Sequence, residues 1–170
     1  MNYFEFRDVY LNILIKLTET THQIYSQILN ELNETNKDER YDKYLILNLI
    51  EFTNSKIENF MNYFVEAVSI PYEVGILKIV KAICKINCYL YSINIRTEQY
   101  TPEYNKKFKI IYHIYIEEAK DLFNQLGYVE ATMLIISSDK LLWERQDSDF
   151  SIIKAKSLKQ LDDYQNKKLS

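Results

Sequence analysis

Glycine and proline are nearly missing from this chain, with 2 of each among 170 residues. Tight turns and hairpins draw on residues that reach positive φ or fix it, so so poor a supply argues against many short strands joined by close turns. Few, long helices are what remains. The shortage of glycine also removes any glycine-rich loop that would cradle a phosphate. No apolar run approaches the roughly 18 residues of a membrane span, and the N-terminus lacks the basic-then-apolar pattern of a secretory leader. The 2 cysteines, Cys84 and Cys88, stand one helical turn apart, where a bridge would be awkward and would close no long loop. Reduced thiols in a cytosol are the expectation. An excess of one charge is missing too: 21 basic residues against 24 acidic ones give a net charge of −3. That leaves no long-range field to gather nucleic acid or anionic lipid.

What is present is apolar residues at helical spacing. With 47% hydrophobic residues, the chain can bury a core within one domain spanning residues 1–170. From Tyr3 to Asn33, Phe6, Val9, Tyr10, Ile13, Leu17, Ile24, Ile28 and Leu32 recur at three, four and seven, the signature of an amphipathic helix. The stretch Glu34 to Arg40 has no apolar residue to bury and reads as a solvated connection. A second helix, Tyr41 to Val68, sets Leu45, Leu49, Ile57, Phe60, Met61, Phe64 and Val68 on one side. Glu51, Glu58, Asn62 and Glu66 give it an acidic outer face.

Ser69, Pro71 and Glu73 suit a helix entrance. The third helix runs from there to about Ile95, apolar on most of its circumference except for a row at Lys78, Lys81 and Lys85, and should be the most buried. Thr101-Pro102-Glu103 starts a fourth helix carrying Tyr104, Phe108, Ile111, Tyr115, Ala119, Leu122 and Leu126, and Gly127 stands where a left-handed cap belongs. A fifth helix is expected from Val129 to Glu144 with Met133, Ile136, Leu141 and Trp143, and a last one after Asp147-Ser148-Asp149 with Phe150, Ile153, Leu161 and Tyr164 on one side. Two runs alternate, Lys43 to Phe52 and Lys107 to Ile116, and a strand reading of an α/β domain competes there. Their continuity with three-and-four spacing favours helix. The expected fold is all-α: an antiparallel bundle of four long helices with two shorter C-terminal helices packed on it.

Candidate chemistry is sparse. Glu19-Thr20-Thr21-His22 has the Glu-x-x-His spacing that lets two side chains bite one ion, and His113 and Glu117 are the other residues that could join such a site. A di-metal bundle needs a second Glu-x-x-His and two bridging carboxylates, which the sequence does not supply. Cys84 and Cys88 lie in a strongly apolar helix and read as small buried hydrophobes. The lysines 78, 81 and 85, with Lys106, Lys107 and Lys109, read as solvated helix edges pairing loosely with the acidic face of the second helix.

Tyrosine is the one excess, 15 residues of 170. It offers large contact area with a hydroxyl that tolerates water, as a partner-binding surface would, and Tyr63, Tyr91, Tyr100 and Tyr112 are the candidates. Codon bias absorbed at the rim of a bundle explains the excess equally well. The expected function is a non-enzymatic, cytoplasmic protein-binding module without a cofactor, of the inhibitor, immunity-protein or adaptor type. Its partner would be another protein, a basic one given the acidic balance, or a second copy of itself. A metal-binding or enzymatic bundle using Glu19, His22, His113 and Glu117 is the alternative, and a nucleic-acid-associated subunit working through the lysines is a third reading.

Overall fold

A computed structural model describes residues 3–66, 74–125, 127 and 148–169. These residues are all-helical apart from the connections: α1 (Tyr3–Glu31), a 3-10 turn (Leu32–Glu34), α2 (Lys37–Glu66), α3 (Val74–Thr97), α4 (Pro102–Gln125) and α5 (Ser148–Leu169). Both alternating runs, 43–52 and 107–116, are helix. The helix entrance at Ser69, Pro71 and Glu73 and the expected helix from Val129 to Glu144 with Trp143 lie outside the described residues. So do the side chains of Phe6, Phe64, Glu66, Val68, Ile76 and Leu126.

The four helices α1 to α4 form a closed ring of neighbours, with α1 on α2 and α4, and α3 on α2 and α4. Tyr10, Ile13, Leu14, Leu17, Ile24 and Ile28 carry the buried stripe of α1. The segment from Leu45 to Ile50 is buried residue after residue, because α2 also takes α5 against its outer side. A helix enclosed on three sides loses the periodic signal of an amphipathic one. That is why this stretch could be read as a strand.

Two expectations are corrected here. The connection after α1 is much shorter than Glu34 to Arg40, since Asn36 caps α2 by accepting the Glu39 amide at 3.0 Å and Asp38 and Glu39 occupy the first turn. The last helix is not short: α5 has 22 residues, against 24 in α4, and five long helices pack together among the described residues. Phe150, Ile153 and Ser157 are its buried contacts. Asn48 of α2 donates to Ser157 Oγ at 3.0 Å and to Gln160 Oε1 at 2.6 Å.

The corner between α1 and α2 is built from polar groups. Arg40 is 1% exposed. Its Nη2 donates to the Leu32 carbonyl at 2.7 Å, and its guanidinium carbon lies 3.4 Å from the centroid of the Tyr164 ring. One side chain thus adds a second donor to the Leu32 carbonyl, which also accepts the Thr35 amide at 3.2 Å, and clamps α5. Thr35 supports the corner, donating to the Glu31 carbonyl at 2.9 Å and accepting from Lys43 Nζ at 2.7 Å. At the other corner the Thr101 amide and hydroxyl both donate to the Thr97 carbonyl, at 2.9 and 3.0 Å, closing α3, while the Thr101 carbonyl accepts the Asn105 amide at 2.8 Å and opens α4. Asn105 completes the turn by donating to the Asn94 carbonyl at 2.8 Å and to Thr97 Oγ1 at 3.0 Å. Gly127 follows α4 with φ 78°, the left-handed value its position called for.

Tyrosines line the middle of the core. The Tyr10 and Tyr115 rings stand 5.1 Å apart, Tyr112 stacks between Tyr115 at 6.5 Å and Phe108 at 5.9 Å, and Tyr115 donates to the Ile83 carbonyl at 2.7 Å. Burial drives the hydroxyls of Tyr10, Tyr115 and Tyr112 above their ordinary value near 10 and the Cys84 thiol to about 11. Raised folded-state values mean that the unfolded chain releases these protons first, so stability is full below about pH 9 and falls as pH rises toward 11 and beyond. The denaturation midpoint should therefore be flat from neutrality to about pH 9 and then decline. Tyrosinate absorbance should rise together with loss of helix. Free titration of all tyrosines near pH 10 with the helical signal intact would contradict this core.

Candidate functional site

A groove of about 620 Å³ runs between α1 and α2. Its register comes from two bonds: Thr21 Oγ1 lies 3.0 Å from Asn54 Oδ1, and Tyr25 donates to Glu51 Oε1 at 2.6 Å. Both threonine and tyrosine sit on the flank of α1 that turns from the core toward α2. One helical step further out, Ile15, Glu19 and His22 form the lip. From α2, Ile50 and Met61 form an apolar floor and wall, while Glu51 and Glu58 bring carboxylates. Ile15 is 43% exposed, an apolar side chain at an open edge.

The electrostatics of this groove are one-sided. Three glutamates line it, and its described lining includes no lysine or arginine. Glu51 is partly neutralised by Lys156 of α5, whose Nζ lies 3.5 Å from Oε2. The bond from Tyr25 to Glu51, more than burial, pushes the Tyr25 hydroxyl up to about 12, so it stays a donor at any physiological pH. Glu19 and Glu58 have no such partner among the described residues.

The residues singled out in the sequence scatter differently from the pattern a metal centre requires. Glu19 and His22 share the groove, but His113 and Glu117 are exposed on α4, and Glu117 accepts from Lys120 at 3.1 Å. Among the described residues no group of three or more His, Cys, Asp or Glu side chains is placed to hold a metal ion. Cys84 and Cys88 are buried and unbridged, and Cys88 donates to the Cys84 carbonyl at 3.4 Å. A raised thiol within an apolar helix is the opposite of an activated nucleophile.

The tyrosines also divide. Tyr112 is corrected from a surface candidate to a core residue: it is 7% exposed and donates to Asn87 Oδ1 at 2.9 Å. Tyr91 is half-buried. Tyr100, also half-buried, donates to Asp42 Oδ2 at 3.3 Å with Lys43 Nζ 5.3 Å from its ring. Tyr63 lines a second, smaller groove of about 300 Å³ between α2 and α3, together with Lys56, Lys78, Lys85, Phe60 and Ile86. Of the twelve tyrosines whose side chains are described, four are buried and eight half-buried, and none stands fully exposed. The lysine row does not pair with α2 as expected, for Lys85 bonds Asp149 of α5 at 3.0 Å and Lys109 bonds Glu98 at 3.2 Å.

Sequence reasoning placed Glu51 and Glu58 on an acidic outer face but did not join them to Glu19. A usable signal was present in α1. Ile15, His22 and Leu29 recur at seven, a second stripe beside the core stripe, and Ile15 and Leu29 remain among the exposed large hydrophobic residues. No described helix is long and apolar enough to cross a membrane. The chain matches no protein-family model, no curated protein and no solved structure.

Proposed function

We propose that this chain is a non-enzymatic, cytoplasmic protein-binding module of the inhibitor, immunity-protein or adaptor type. The α1–α2 groove carries the reading: it combines an apolar floor with unneutralised carboxylates, a pairing that suits recognition of another protein better than chemistry on a small substrate. The bundle in this proposal is up-and-down and antiparallel. Its support is the opposite order of bonded residues along neighbouring helices, Thr21 with Asn54 and Tyr25 with Glu51, and Asn105 with Asn94 and Tyr112 with Asn87. Such a scaffold presents a fixed surface whose backbone moves little on binding.

The test is light scattering coupled to size exclusion on protein purified from its own host under mild conditions, with mass spectrometry of whatever co-elutes. A stoichiometric second protein is the expected result. A monomer that recovers no partner in repeated preparations would overturn the reading.

A further inference from the structure

We infer that the α1–α2 groove seats a basic amphipathic helix of a partner protein, about three turns long, with apolar residues toward Ile15, Ile50 and Met61 and lysines or arginines toward Glu19 and Glu58. This deepens the protein-binding reading and rests on it. Three observations select the occupant. The groove is the furrow between two adjacent helices and extends along α2 from Ile50 to Asn62, roughly 18 Å at about 1.5 Å per residue. A third helix laid into such a furrow is an ordinary ridge-into-groove packing, and Ile15, Glu19 and His22 along α1 offer it contacts on the side facing α2.

The charge is the second observation. Glu19 and Glu58 line the groove without a cationic partner among the described residues, and Glu51 is paired with Lys156 of α5. An acidic or neutral helix would leave these carboxylates desolvated and unpaired, whereas basic residues along its flanks would meet them. The third observation excludes a symmetric pairing of two copies. An isologous contact through this groove would set glutamates against glutamates.

The experiment uses the full chain and two synthetic 15-residue peptides of the same amphipathic pattern, one with leucine and lysine, the other with glutamate in place of each lysine. Binding is followed by fluorescence anisotropy at low salt, with amide chemical-shift mapping at saturation. The lysine peptide should bind saturably at one per chain, weaken as salt rises, and shift amides in 15–25 and 50–62; the glutamate peptide should bind at least about tenfold more weakly. The double variant Glu19→Lys with Glu58→Lys should lose about tenfold in affinity. A control with the same change in net charge, Glu103→Lys with Asp121→Lys on α4, should lose less than about twofold.

Equal loss in both variants would mean diffuse attraction and would overturn the proposal, as would shifts confined to other helices. Self-association of the protein that disappears in the groove variant would overturn it in favour of a second copy. Failure of the lysine peptide to bind, while the double variant still co-elutes with a stoichiometric host protein, would sink the groove and leave the binding-module reading standing. Both variants change exposed side chains, and an unchanged helical signal confirms that they fold.

Discussion

Replacing Arg40 with alanine should lower the unfolding free energy by about 3 kcal/mol, since a buried charged donor to the Leu32 carbonyl and its stacking on the Tyr164 ring are lost together, the Thr35 amide alone remaining on that carbonyl. For a chain of this length that is a fall in Tm of about 6–12 °C. The reason is positional. Arg40 is buried at the junction of three elements: the 3-10 turn whose Leu32 carbonyl it serves, α2 that carries it, and the Tyr164 ring of α5. Hydrogen exchange should quicken over 160–169 more than over the middle of α1, because the clamp on the end of α5 is gone.

Arg40→Lys keeps the charge without the planar fork and should recover less than half of the loss. Arg40→Met is the sharper control. No carboxylate pairs with Arg40 within ion-pair distance among the described residues, and Nε has no hydrogen-bond partner there. A flexible apolar side chain of similar length would fill the space but remove the guanidinium's bond to the Leu32 carbonyl, leaving only the Thr35 amide on it. Methionine stability equal to that of the unchanged protein would show that the guanidinium bonds contribute nothing.

The largest effect of all is expected at Tyr115, which is 0% exposed and touches α1 through Tyr10 and α3 through the Ile83 carbonyl. Tyr115→Ala should cost about 4 kcal/mol through lost burial and the cavity left behind. Tyr115→Phe should cost only about 1 kcal/mol, because the ring still fills the site and the carbonyl remains within the α3 ladder. Urea denaturation of the pair separates packing from hydrogen bonding. Equal losses in the two variants would mean that the hydroxyl, not the ring, organises this part of the core.

Much of the helical layout was legible because it rests on punctuation and period. The start at Pro102 and the left-handed Gly127 follow from local chemistry and lie where the sequence put them. The apolar stripes do so only in part, since Val9 of the α1 stripe is exposed and the α4 stripe is rotated, with Tyr112 and Phe123 buried while Tyr104, Ile111 and Leu122 are half-buried. Tertiary choices were hidden. Nothing local in Glu34 to Arg40 says that Arg40 and Lys43 turn inward, since they bond the Leu32 carbonyl of the 3-10 turn and the Thr35 hydroxyl that follows it. Tyr112 looked like a surface residue because a hydroxyl tolerates water; in the fold it meets Asn87, 25 positions away.

The candidate site was half legible for the same reason. Glu19 with His22 and Glu51 with Glu58 each stood out within its own helix, the first as a metal spacing and the second as an outer face. The register set by Thr21 with Asn54 and Tyr25 with Glu51 makes them one surface. A local pattern cannot supply that register, which comes from packing between segments about 30 residues apart.

The most direct test of the central claim is native co-purification of the unchanged protein beside the double variant Glu19→Lys with Glu58→Lys, each measured by light scattering during size exclusion. The account predicts a stoichiometric complex with a second protein for the unchanged chain and its loss in the variant, while the α4 control retains it. A chain that elutes alone in every preparation would contradict the binding-module reading itself.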